Sequence, residues 1–337
     1  MTSSFAPLIY VDDDLPGITR RRQGKAWAYR DATGQPIRDK AEIARLNAVA
    51  LPPAYDQAWF CPAANGHILA TGVDAKGRKQ YRYHPDFRAS QESEKFGRCL
   101  AFGKLLPLVR RRLETELAAP GLGRDKAIAA VVRVLDLGAL RVGNEGYARD
   151  NASFGATTLR GRHVAVKRGE VRLEFRGKHG KLHKVALADR RLAACVRRMQ
   201  DLPGQHMFRW LDDDGAAHDV TSASVNQWLG ETMGEDFTAK NFRTWHGSVQ
   251  AFRLLATAPT VLPLKAVLDE VSAHLGNTPA VTRKSYIHPA VIDLAGRQEE
   301  WRAGLTLPRA SRWLDRHERG LLDLLVEAPT ARELLAA

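Results

Sequence analysis

Four segments between Gly138 and Tyr286 carry groups able to handle an anion. Gly138-Ala139-Leu140-Arg141-Val142-Gly143-Asn144-Glu145 sets an arginine between glycines at the end of an apolar helical stretch, where an exposed guanidinium and close backbone approach are both available. Phe175-Arg176-Gly177-Lys178-His179-Gly180-Lys181 puts Lys178 at the tip of a predicted hairpin, and Lys240-Asn241-Phe242-Arg243 opens an apolar helix. Leu275-Gly276-Asn277-Thr278-Pro279-Ala280 is followed, nine residues after Asn277, by Tyr286. Guanidinium and ammonium groups bind anionic oxygens, and a phenol is a nucleophile once deprotonated. Singly, each has a plain structural reading: a surface arginine favoured by a helix C-terminus, a solubilising hairpin lysine, a half-buried core tyrosine.

The elements that must position these groups change character along the chain. Residues 1–88 show short alternating stretches (Ala26-Trp27-Ala28-Tyr29, Trp59-Phe60-Cys61, Gln80 to Tyr83) broken by turns such as Asp31 to Gly34 and Asn65-Gly66. This predicts a small mainly β domain with a helix near Asp39 to Ala50. Residues 89–337 take a helical period, with Phe96, Leu100, Leu105, Val109 and Leu113, then Ile128, Val131 and Leu135. Three strand-like runs interrupt it: Arg162 to Lys167, Val171 to Phe175 and Leu182 to Leu187, joined by Arg168-Gly169 and the Gly177 to Gly180 turn. The expected class is α+β: a β-rich N-terminal domain and a larger, mainly helical domain holding a three-stranded antiparallel sheet. A strand pair about Asp214-Gly215 follows, then helices capped by Thr221 or Ser222 and begun at Pro263.

The 337 residues carry a formal charge of +13, which attracts phosphate polyanions and makes nucleic acid the leading partner class. Arg20-Arg21-Arg22 with Lys25, and Arg110-Arg111-Arg112, either track phosphates or are solvated charges. No run of apolar residues is long enough to span a bilayer, and the acidic start Asp12-Asp13-Asp14 does not read as a secretion signal, so a cytoplasmic location is expected. Cys61, Cys99 and Cys195 are far apart and form no CxxC pair, which predicts buried thiols. None of the Gly-Lys pairs (at Gly24, Gly103, Gly177 and Gly180) continues into Ser or Thr, so ATP use is not expected. Asp212-Asp213-Asp214-Gly215 reads as a polar turn, and no metal site or other cofactor is expected. His246 and Trp245 read as structural.

In order and spacing, the four segments resemble the catalytic signature of type IB DNA topoisomerases, the compact poxvirus-like class also found in bacteria. The resemblance extends to Pro52-Pro53-Ala54-Tyr55, to Cys61-Pro62 with Asn65-Gly66-His67, and to Ala70-Thr71-Gly72-Val73-Asp74-Ala75-Lys76-Gly77-Arg78-Lys79-Gln80-Tyr81-Arg82-Tyr83. It implies relaxation of supercoiled duplex DNA through a transient 3′-phosphotyrosyl nick, strand rotation and resealing, without ATP or metal. Tyr286 would be the nucleophile, Arg141 and Arg243 would grip the non-bridging oxygens, and Lys178 would protonate the leaving 5′ oxygen. Asn277 stands where most members carry His and would keep a donor role. Lys76, Gln80 and Tyr81 resemble base-reading residues, Tyr147 resembles one that touches a backbone phosphate, and Arg78 and Lys240 would also bind DNA. The expected protein is a monomer that clamps duplex DNA, associated with a bacterial nucleoid. A tyrosine recombinase uses the same Arg, Lys, Arg and Tyr logic, but Lys240 stands where recombinases usually have His. A non-catalytic duplex-binding protein is the third reading.

Overall fold

The computed structural model describes residues 7–24 and 26–336; Lys25, grouped by charge with Arg20 to Arg22, lies outside them. Two compact units divide between Ser93 and Glu94.

The first unit contains β1 (Ile18–Gln23), β2 (Ala26–Arg30), α1 (Lys40–Ala48), β3 (Asp56–Phe60), β4 (Ile68–Val73) and β5 (Lys79–Tyr83). The strands form one sheet in the order β2-β1-β3-β4-β5, each neighbouring pair antiparallel. Asp39 starts α1 by accepting the Ala41 N–H at 3.0 Å, the capping reason a helix begins there. Ile18, Tyr29, Phe60 and Ala70 of the sheet pack with Leu46 of α1 and Leu51. The arginine triplet belongs to β1, not to a loop or helix. Arg20 is no solvated charge: it lies 4.1 Å over the Trp27 ring and donates to the carbonyls of Leu51 (2.7 Å) and Pro52 (2.5 Å).

α2 (Pro85–Ala118) starts at the composition change after His84 and runs into the second unit. There follow α3 (Arg124–Gly138), α4 (Glu145–Asn151), β6 (Val164–Lys167), β7 (Glu170–Arg176), β8 (Leu182–Ala188) and α5 (Arg190–Gln200). Next come β9 (Arg209–Leu211), β10 (Ala217–Asp219), α6 (Ser222–Met233), α7 (Ala239–Thr257), α8 (Leu264–Leu275) and α9 (Pro279–Tyr286). The chain ends with α10 (Pro289–Leu294), α11 (Gln298–Gly304), α12 (Arg316–Glu327) and α13 (Ala331–Ala336). Among the described residues, no helix is long and apolar enough to cross a membrane.

Strands β6, β7 and β8 form the three-stranded antiparallel sheet. Arg168 (φ 51°) and Gly169 (φ 80°) close β6 onto β7 with two left-handed residues, as a two-residue hairpin turn requires. α3 is buried on nearly every side, from Lys126 to Asp136, and its Ala- and Val-rich sequence suits an interior helix. The basic triplet of α2 also departs from the phosphate reading. Arg110 is clamped by Asp136 (2.9 Å) and Glu318 (2.8 Å), and Arg112 stacks 4.4 Å over Trp228 while donating to Thr232 at 2.7 Å. The Asp212 carboxylate accepts the N–H groups of Asp214 and Ala216, which makes that acidic run the expected polar turn. All three cysteines are buried and free.

Candidate active site

The site is assembled from the ends of four helices, one hairpin and one loop. α3 stops when Ala139 turns left-handed (φ 48°), and the chain then carries Arg141 out of the core. A loop after α4 crosses behind it. Ala156 N–H donates to the Arg141 carbonyl (2.9 Å), while a Cβ on Gly155 would lie 2.5 Å from Gly143 N and 2.6 Å from Arg141 O. Only glycine permits that pass, so the close approach expected near Arg141 is real but is made by Gly155 and by Gly143 (φ 101°) rather than Gly138. The same loop reaches the β7–β8 hairpin, because Phe154 N–H donates to Arg176 O (2.8 Å) and Ser153 Oγ to Gly177 O (3.2 Å). One segment thus braces both Arg141 and the hairpin tip, where Gly177 N–H to Lys181 O (2.8 Å) closes the turn that presents Lys178.

Arg243 enters from the first turn of α7, whose start Asn241 Oδ1 fixes by accepting the Thr238 N–H at 2.9 Å. It is buried, 3% exposed, and among the described residues no carboxylate satisfies it. Its donors instead take Ala139 O (2.5 Å) and Leu275 O (2.8 Å), carbonyls at the C-terminal ends of α3 and α8, where the helix dipoles favour a cation. Burial, then Arg141, brings the Arg243 pKa down to about 10, so it stays charged at neutral pH. Its Nε is buried with no hydrogen-bond partner among the described residues.

Tyr286 is the last residue of α9 and lies beneath Arg243, whose Cζ is 4.8 Å from its ring centroid. Burial pushes the phenol pKa up, but Arg243, then Arg141 and Lys240, outweigh it and hold the group below its ordinary value. Gly247, one turn past Arg243, makes the contact possible, since a Cβ there would lie 2.4 Å from Tyr286 O. Ser248 pins the chain two residues after Tyr286 by accepting the His288 N–H at 2.9 Å. Asn277 follows the left-handed Gly276 that ends α8 (φ 67°), just before Thr278 caps α9. Its Oδ1 accepts a hydrogen bond from Arg141 Nη2. Since arginine only donates, this fixes the amide orientation and leaves Nδ2, buried and without a partner among the described residues, as a spare donor.

Arg141, Lys178, Lys240, Arg243, Tyr147 and Tyr286 line one cleft of ≈ 340 Å³, and Asn277 joins them through Arg141. Tyr147 is 43% exposed in α4, whose start Asn144 caps by accepting the Tyr147 N–H. His246 lies one turn from Arg243 but lines a different cleft, with Nε2 3.4 Å from Asp136 Oδ1; Trp245 is fully buried and donates to Glu318 at 3.2 Å. The DNA-binding candidates Lys76, Arg78, Gln80 and Tyr81 lie in the first unit, on the β4–β5 turn and β5. There Asp74 organises the hairpin: it takes an ion pair from Arg78 (2.6 Å) and a hydrogen bond from Gln80 (3.0 Å), while its Oδ1 accepts the Lys76 N–H at 2.9 Å. Tyr81, 41% exposed, stacks on Tyr83 with ring centroids 5.7 Å apart. Lys79 pairs with Asp13 and Asp14 at 2.8 and 3.2 Å.

Gly155, Gly247, Ser248 and His183 were not singled out from the sequence. A glycine inside α7, one turn past a candidate arginine, was the available signal, because it costs about 1 kcal/mol relative to Ala unless close packing requires it.

The family described as "Eukaryotic DNA topoisomerase I, catalytic core" matches residues 84–300, and that described as "Bacterial DNA topoisomerase IB, N-terminal domain" matches residues 26–74. A DNA topoisomerase 1B of Acanthamoeba polyphaga mimivirus is 28% identical over 301 residues, covering 85% of this chain and 90% of the viral protein. A DNA topoisomerase 1B of Vaccinia virus (strain Copenhagen) is 20% identical over 247 residues, 71% of this chain and 76% of its own. A DNA topoisomerase 1 of Mycosarcoma maydis is 26% identical over 193 residues, 50% of this chain and 19% of its own. With cationic groups and a phenol gathered in one cleft, and with the catalytic-core match spanning more than half of its length, the chain belongs to the type IB DNA topoisomerases.

Proposed function

We propose that this enzyme relaxes supercoiled duplex DNA by nicking one strand through Tyr286, letting the cut end rotate and resealing it. The observation that carries the proposal is the convergence of Arg141, Lys178, Arg243 and Tyr286 on one cleft. In the cleavage step the Tyr286 oxygen attacks the scissile phosphorus after its proton passes to solvent. The Tyr286 O–P bond forms, the P–O5′ bond breaks, and a 3′-phosphotyrosyl link remains.

Attack adds charge to the non-bridging oxygens. Arg141, the free Nε of Arg243 and Asn277 Nδ2 are donors for that charge, worth more in the transition state than in the ground state. Arg243 is held rigid by two helix ends, so its charge is already in place when the reaction begins. The departing 5′ alkoxide is strongly basic and needs an acid, and Lys178 on its exposed tip supplies the proton. Resealing runs the same steps backward: O5′ attacks, Lys178 recovers the proton and Tyr286 leaves. Because the phosphotyrosyl bond keeps the energy of the broken strand, no ATP is required, and the cations do the charge work for which a metal is elsewhere recruited.

The substrate is duplex DNA, bound by a monomer through both units. Lys76, Gln80 and Tyr81 contact bases, Tyr147 contacts the backbone, Arg78 and Lys240 add further DNA contacts, and residues 1–88 serve binding while residues 89–337 hold the chemistry. Incubation of supercoiled plasmid with enzyme, EDTA and no nucleotide tests the whole reading. Relaxation by the wild type and none by Tyr286→Phe supports it; relaxation by Tyr286→Phe overturns it.

A further inference from the structure

Lys178 sits on an exposed turn, whereas Asn277 and Tyr286 belong to the α8–α9 segment, so productive chemistry needs a fixed distance between hairpin and helices. His183 occupies the position that could fix it. It faces Phe175 across the β7–β8 ladder and stacks on it, ring centroids 5.1 Å apart and planes within 8°. A Cβ on Gly177, which precedes Lys178, would lie 2.7 Å from His183 Cδ2; one on Gly276, which precedes Asn277, would lie 2.3 Å from His183 Cε1. The imidazole therefore fills the space left by two glycines on separate elements, each adjacent to a site residue. Gly177 has an ordinary φ of −93°, so at that position the ring itself is the reason for glycine. Burial, then Arg141, Arg243 and Lys181, lower the His183 pKa to about 4, and a neutral ring is what a site crowded with cations tolerates.

We propose that His183 is a positioning residue: a wedge that locks the Lys178 hairpin against the Gly276–Asn277 turn and so aims the Lys178 side chain at the leaving 5′ oxygen. This rests on the assignment of Lys178 as general acid.

The test is single-turnover cleavage of two duplexes, one normal and one with the scissile 5′ oxygen replaced by sulfur. A thiolate leaves without a proton, because thiols ionise near pH ~8.5. His183→Ala is expected to cleave the oxygen substrate about 100-fold more slowly than wild type, the cost of misplacing a catalytic group by about 1 Å. On the sulfur substrate it should return to within a few-fold of wild type. His183→Phe keeps a ring in the gap and should stay close to wild type on both. Full activity of His183→Ala on oxygen, an equal loss on both substrates, or a His183→Phe as slow as His183→Ala would each overturn the proposal. Lys178→Ala separates the two levels. If sulfur rescues Lys178→Ala but not His183→Ala, only the wedge falls; if sulfur does not rescue Lys178→Ala, the general-acid assignment falls and the wedge with it.

Discussion

Asn277 offers the most quantitative test of how the cleft handles charge. Its Oδ1 is committed to Arg141, and Nδ2 is a buried donor with no partner among the described residues. A hydrogen bond to a charged group contributes about 1.5–3 kcal/mol. If that donor meets a non-bridging oxygen only as charge develops, Asn277→Ala should slow cleavage ~10- to 150-fold, at 1.36 kcal/mol per factor of ten. Asn277→His should lose far less, since neutral imidazole can accept from Arg141 with one nitrogen and donate with the other. Asn277→Asp should be worse than Ala: it keeps the acceptor, loses the donor and sets a second anion against the phosphate. The assay is single-turnover formation of the covalent adduct on a duplex with one cleavage site. Equal rates for wild type and Asn277→Ala would remove Asn277 from the reaction, and an Asp variant faster than Ala would show that Nδ2 never reaches the phosphate.

Three further outcomes follow from particular contacts. Gly247→Ala adds a methyl 2.4 Å from Tyr286 O, so Tyr286 must move by about 1 Å; cleavage should fall about 100-fold while equilibrium binding to uncleaved duplex is retained. An unchanged rate would mean that Tyr286 needs no fixed seat. Lys240→Ala removes one of the cations that lower the Tyr286 pKa, so spectrophotometric titration of the phenol should show its ionisation moving to higher pH, and below that pKa the cleavage rate should fall at any given pH. A downward move would contradict the sign argued here. Glu318→Ala breaks a buried cluster in which Glu318, 4% exposed, pairs with Arg110 and accepts from Trp245. Unfolding should become easier by about 3–5 kcal/mol in denaturant titrations, and a change below 1 kcal/mol would mean that the cluster is dispensable.

How much of this was legible beforehand depended on whether the signal was local. Turn chemistry located the β6–β7 and β7–β8 hairpins, because Arg168-Gly169 and Gly177 to Gly180 can close only a few geometries. Thr221 was legible as a cap for the same reason: its side chain accepts the Ser224 N–H three residues on. The identity of the cleft residues came from their order along the chain, not from any single motif. What the sequence could not show was where charge goes once tertiary partners arrive. Arg20 and Arg110 sit in basic triplets that look like phosphate binders, yet one stacks on Trp27 and the other is buried between Asp136 and Glu318, partners 26 and 208 residues away. Likewise, nothing local marks Gly155 or His183, whose importance lies in atoms from other elements passing within a few ångströms.

The most direct test of the central claim is chemical capture of the intermediate. Enzyme acting on duplex DNA is stopped with denaturant, the DNA is trimmed by nuclease, and the modified peptide is sequenced by mass spectrometry. The account predicts a nucleotide joined through its 3′ phosphate to the peptide containing Tyr286, leaving a free 5′ hydroxyl on the other side of the nick. A link to any other side chain, a link through a 5′ phosphate, or relaxation with no trapped adduct would contradict it.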